Sequence, residues 1–378
     1  MSAHAAESEL ARWAVSARAG RDRTRDRARG WLADADPRRL AAEVTRLGVA
    51  GASAPRLREL ADERFAATLD AELAEVRAIS QAAAARQRVA SMAVLAALAA
   101  HEIAAVPLKG VLMAERLYGD AAARYSSDID VLVRAQDLRP AVEVARGLGY
   151  GEPTDPVDAS GLPLLHFALD GDPALELHWR VHWFETDFAA RALARAEPGP
   201  VLRRADELAM LLLFYARDGL TGLRQPADIA AWWDRYGEDE VLAELRAVAD
   251  EAPALADALK AGAATAARTV ATPDPWDGRG AVTFAARLAN WRLAGSEDRL
   301  RADASLVDIA LAPRGEKLTT LRRHALISLP EMEGWHRPVA GGVVGRRIEQ
   351  MTRPAKLGLR WLQASARVFR RTVRSHIR

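Results

Sequence analysis

The sequence predicts a mostly helical α/β protein in which a small mixed β-sheet lies between two helical flanks. Three observations carry this. Apolar residues recur at three- and four-residue spacing through most of the first hundred positions and again from about residue 186. Between residues 103 and 179 the period changes to two, most clearly in Ser127-Asp128-Ile129-Asp130-Val131-Leu132-Val133. Two further short apolar runs, 164–169 and 174–179, flank the turn-forming Asp170-Gly171-Asp172-Pro173 and read as a hairpin.

In chain order, residues 1–100 form the first helical region. Helical spacing holds over 38–47, 54–83 and 86–100, while 18–29 alternates arginine with aspartate and reads as an exposed helix or loose arm. The α/β core spans 101–185. It begins with a short apolar strand over 103–108 that ends at Lys109-Gly110, and a helix follows to about Tyr118. After the 127–133 strand, Asp137 is expected to cap a helix that runs to about Gly147 and stops by Gly149. The hairpin completes a strand–helix–strand–helix–strand–strand unit. Residues 186–330 are read as a C-terminal helical domain. Asp206 is expected to cap a helix over 207–217, a second amphipathic stretch covers 223–236, and breaks fall at Pro273-Asp274-Pro275 and Pro313. Residues 331–378 form a basic tail.

Composition narrows the setting. The 378 residues contain no cysteine, which excludes disulfides and thiolate metal sites and predicts a cytoplasmic protein. The first residues lack the basic start and apolar core of a signal peptide, and the most apolar stretch, 89–100, is too short to span a bilayer. From 346 to 378, nine arginines and Lys356 face Glu349 alone, a net +9 in a chain whose total is +2. The favoured reading is a helix with solvated arginines; an RNA-binding arm is the less favoured one.

The chemistry concentrates on three carboxylates. Residues two apart on a strand project to one face, which places the Asp128 and Asp130 side chains about 7 Å apart along the chain. Two such carboxylates amid branched apolar residues repel each other and resist desolvation, and a divalent cation relieves both costs. Glu176, in Leu175-Glu176-Leu177, offers a third ligand from a neighbouring strand, as a two-metal clamp on a triphosphate requires. Lys109-Gly110 stands where a strand meets a helix: glycine lets a phosphate approach the backbone, and the lysine supplies a cation. Arg124 is a second candidate for phosphate binding. His178 and His182 need not share a face, and the aromatic trios Ala231-Trp232-Trp233 and Val181-His182-Trp183 read as core. No dinucleotide-binding glycine motif, P-loop, GxSxG or HExxH is present.

Leu108-Lys109-Gly110, Tyr118, Arg124, the 127–133 strand, Leu148-Gly149-Tyr150 and Leu175-Glu176-Leu177-His178-Trp179 together resemble the uncharacterised bacterial nucleotidyltransferase family of the polymerase-β-like superfamily. Asp206-Glu207 and Asp228-Ile229 are similar to that family's helical C-terminal part. The resemblance runs over roughly 35–310. It implies a nucleotidyltransferase core, with Asp128, Asp130 and Glu176 as catalytic metal ligands. Most of the superfamily has Gly-Ser at the first strand–helix turn; Lys109-Gly110 departs from it, as this family does.

The implied activity is transfer of a nucleoside monophosphate from an NTP to a small-molecule, peptide or protein acceptor, dependent on Mg2+ or Mn2+. The alternative is a non-catalytic scaffold of the same fold that binds a peptide, carrier or partner enzyme.

Overall fold

The computed structural model describes residues 3–153, 155–197, 201–276, 281–293 and 297–326, and, further on, 351–352, 354–356, 358–359 and 361–366. Most of the basic tail lies outside the described residues, and with it both the favoured reading as a helix with solvated arginines and the less favoured one as an RNA-binding arm.

Six helices precede the sheet: α1 (Ala3–Ala14), α2 (Arg18–Arg23), α3 (Arg25–Asp34), α4 (Pro37–Arg46), α5 (Ala50–Leu60) and α6 (Glu63–Ala100). The core contains β1 (Ala105–Pro107), α7 (Val111–Tyr118), β2 (Asp128–Val133), α8 (Leu138–Gly147), β3 (His166–Leu169) and β4 (Ala174–His178). Then come α9 (Phe188–Ala194), α10 (Arg204–Arg217), α11 (Arg224–Tyr236), α12 (Asp239–Glu251), α13 (Ala256–Val270), α14 (Ala281–Leu288), α15 (Glu297–Leu311) and α16 (Lys317–Ala325). The mostly helical α/β class with a small mixed sheet is the one expected. Among the described residues no helix is long and apolar enough to cross a membrane.

Several local expectations are corrected. Of the helices expected over 54–83 and 86–100, residues 54–60 belong to α5 and 63–100 form one helix, α6, of 38 residues and about 57 Å long. The four alanines at 82–85 favour helix rather than break it. The true break comes earlier, where the Asp62 carboxylate accepts the Phe65 N–H at 2.8 Å and starts α6. Asp137 precedes α8 but does not cap it by its side chain, because a 3-10 turn at Ala135–Asp137 leads into the helix. Asp206 lies inside the first turn of α10, fully buried and ion-paired to Arg195 at 2.7 Å, rather than capping it.

The sheet order is β1-β2-β4-β3. β1 and β2 are antiparallel, β2 and β4 parallel, and β3 and β4 form the antiparallel hairpin. One face, with Ile129, Val131, Val133, Leu175 and Leu177, packs on α8 and the end of α6. The alternation then turns Asp130, Leu132, Glu176 and His178 to the other face, towards α10. A second apolar core joins α1, α4 and α5 to α10, α11 and α13, with Trp232, Tyr215 and Phe214 fully buried.

Candidate active site

Register makes the site. In the parallel β2–β4 pair Asp130 stands opposite Glu176, and Asp128 opposite Ala174. One carboxylate oxygen from each of Asp128, Asp130 and Glu176 lies within 4.8 Å of the others, so the sheet brings together the three acids singled out from sequence. Lys109 joins them because the Leu108 N–H bonds the Asp130 carbonyl at 3.0 Å and extends the β1 pairing past Pro107. The Lys109 Nζ then sits 3.1 Å from Asp130 Oδ1 and 5.2 Å from the centre of the Phe214 ring on α10.

Gly110 begins α7 with φ +94° and ψ −153°, a region open essentially to glycine alone. A Cβ there would have room, its nearest neighbours being Asp128 O and Ser126 Oγ at 3.9 Å. The backbone angle, not crowding, demands glycine.

Arg124 is placed differently from a free phosphate ligand. It is 4 % exposed and its Nε donates to Asp228 Oδ2 at 2.7 Å, while the Tyr118 hydroxyl donates to Asp228 Oδ1 at 2.9 Å. Its charge is nonetheless felt at Asp130. Arg116 and the Trp232 indole N–H both engage Glu207. Asp228 on α11 and Glu207 on α10 therefore clamp α7 against the C-terminal helices, which gives a physical role to two of the acids that carried the family resemblance.

Sequence reasoning missed the residues that hold the acids in place. His178 shares the Glu176 face of β4, and its Nε2 lies 3.0 Å from Asp130 Oδ1 and 3.1 Å from Glu176 Oε2. The two-residue spacing from Glu176 was the available signal. His166, opposite His178 on β3, lies 3.9 Å from Glu176 Oε1. Ser126 donates to Asp128 Oδ1 at 2.9 Å, and its own carbonyl accepts from Gln87 of α6 at 2.8 Å. Both partners of this last bond are invisible to local pattern.

The electrostatics are those of a charged cluster out of water. Burial pushes the Asp130 carboxyl upward, but Lys109 and His178 outweigh it and hold Asp130 well below the ordinary range. Burial likewise raises Glu176, and the His178 bond and His166 bring it below its usual value. Burial lowers His178, yet its two carboxylate partners raise it overall. At neutral pH both acids are anions.

The donor set fits a hard divalent cation. Asp130 Oδ1 is engaged by Lys109 and His178, whereas Oδ2 is buried with no hydrogen-bond partner. An orphaned buried carboxylate oxygen is costly, and an all-oxygen group of two aspartates and a glutamate is what Mg2+ or Mn2+ accepts. Glu176 also groups with His166 and His178, so imidazoles border the acids on one side.

No curated protein matches the sequence. The family described as uncharacterised nucleotidyltransferase matches residues 33–270, a span that begins where the resemblance read from sequence begins and ends short of its expected limit near 310. The match takes in α4 to α13, the whole sheet, the three acids, Lys109-Gly110 and both clamps on α7. The chain is a member of this nucleotidyltransferase family.

Proposed function

We propose that the chain transfers a nucleoside monophosphate from an NTP to an acceptor with release of pyrophosphate, using Asp128, Asp130 and Glu176 as the ligands of Mg2+ or Mn2+. The observation that carries this reading is the unpartnered Asp130 Oδ2 beside the other two carboxylates. A bound divalent cation there would offset the charge on the reacting phosphate and on the departing pyrophosphate.

The chain's own residues then have distinct tasks. Lys109 and His178 fix Asp130 through Oδ1 and leave Oδ2 presented. Ser126 does the same for Asp128. Gly110, without a side chain at the start of α7, leaves the helix terminus open to the outer phosphates, and Lys109 supplies a cation beside them. Arg124, held by Asp228, contributes charge at longer range. An acceptor hydroxyl or amine attacks the α-phosphorus, the bond to the bridging oxygen breaks, and pyrophosphate leaves with that electron pair. Glu176, ionised and partly exposed, takes the acceptor's proton.

Pyrophosphate release measured with each NTP and Mg2+ tests the reading. Asp130→Asn is expected to lose at least 100-fold while retaining the wild-type circular dichroism spectrum. Equal release by wild type and variant would refute it, and retained biological function in Asp128→Asn would favour the scaffold alternative.

A further inference from the structure

Away from the acidic cluster, the N-terminal helices and the far end of α7 enclose a cavity of about 460 Å³, a volume within the range of small-molecule sites. Four arginines line it: Arg18 and Arg21 of α2, Arg25 of α3 and Arg56 of α5. Like charges gathered in one concavity are costly unless something answers them. Arg21 is already held, its guanidinium engaging the Ser16 carbonyl and Asp234. Its affinity for its proton is nevertheless reduced, by burial first and by Arg56 second.

The other three are differently placed. Among the described residues Arg18, Arg25 and Arg56 form no ion pair, and the one hydrogen bond made by the Arg56 side chain goes from Nη1 to the Ala52 carbonyl at 3.1 Å. Three acids also border the cavity, Asp22, Glu59 and Asp120. None pairs with those three arginines, and Asp120 is occupied by the Ala122 N–H at 2.8 Å. The cavity thus combines a concave volume with three arginines that have no ion-pair partner among the described residues, and guanidinium forks match the oxygens of phosphate.

We propose that this cavity is a binding site for a small phosphorylated molecule, separate from the acidic cluster and independent of divalent metal. The phosphate is taken by the lining arginines Arg18, Arg25 and Arg56, and the remainder of the ligand occupies the volume that Trp13 and Leu117 also line.

Titration calorimetry of the full chain with pyrophosphate in EDTA, at constant ionic strength, provides the test. Saturable binding is expected, weakened at least 10-fold in Arg56→Gln and in Arg18→Gln, and unchanged in Asp130→Asn. Arg18 is exposed, so its variant keeps the test valid if Arg56→Gln fails to fold. Glu59→Gln, which removes a negative charge at the cavity, should tighten binding. Absence of saturable binding, affinity indifferent to both arginine variants, or binding tightened by Asp130→Asn, which frees Lys109 from its carboxylate partner, would each overturn the proposal. The last result would place the anion at Lys109 instead.

Discussion

The turn between β4 and α9 holds two buried titratable groups whose effects on stability oppose each other, and Glu185→Gln should separate them. Glu185 is 4 % exposed; it accepts the Val181 N–H at 2.7 Å and the Ala189 N–H at 2.6 Å, yet burial pushes its pKa up to about 7. His182, 1 % exposed, is pushed down to about 3, chiefly by burial and then by Arg217. A raised folded pKa means the native state holds the proton more tightly. The Glu185 contribution is therefore complete below about pH 4.5 and is lost as pH rises through about 7, a change of about 3 kcal/mol. His182 behaves oppositely. Its native state rejects the proton, so its contribution is complete above about pH 6.5 and is lost as pH falls towards 3, in total about 5 kcal/mol. Between about pH 4.5 and 6.5 the two slopes cancel, each being about 1.4 kcal/mol per pH unit. Removing the titration at Glu185 leaves His182 unopposed. Relative to wild type, Glu185→Gln should gain about 3 kcal/mol between pH 4.5 and 7. Urea unfolding at half-unit pH intervals reads this as a widening gap between the two midpoint curves. Parallel curves across that range would refute the reasoning.

Two further outcomes follow from the clamp on α7 and from Gly110, which precedes it. Asp228→Ala leaves the Arg124 charge buried and unanswered and the Tyr118 hydroxyl unpaired, and should cost about 3–5 kcal/mol in urea unfolding. Replacing the pair together, Arg124→Met with Asp228→Leu, should recover most of it, and a loss under about 1 kcal/mol for the single change would contradict a buried charge pair. At Gly110, both Ala and Asn should lower stability by about 1–3 kcal/mol because neither adopts its backbone angles readily. Full tolerance of Asn, seen as an unchanged Tm, would mean the turn is not held there.

The legible parts of the fold were those written in local periodicity. The alternation around Asp128 and Asp130, the Asp170–Pro173 turn and the apolar neighbours of Glu176 located β2, β3 and β4 within two residues. Where sequence reading failed, the deciding partner was distant. Arg124 reads as a free cation until Asp228, 104 residues later, is seen against it. Asp206 has the composition of a cap, and only the approach of Arg195 makes it a buried ion-pair partner. His178 is legible as a neighbour of Glu176 on one strand face, but its bond to Asp130 depends on the pairing with β2. The arginine cavity needs α2, α3, α5 and α7 in one place, which no local pattern announces.

The parallel pairing that sets Asp130 opposite Glu176 also acts as a quality check on folding. Slipping β4 by one residue would turn Leu175 and Leu177 out of the apolar core and drive Glu176 and His178 into it. Each leucine displaced would forfeit about 1.5–3 kcal/mol, before any cost of burying the two polar groups. The same alternation that builds the core therefore rejects misassembled sites, since a chain with its acids out of line is also a chain that packs badly. Preparations of folded protein should consequently be homogeneous in this region, with the three acids gathered in the same way in every folded chain.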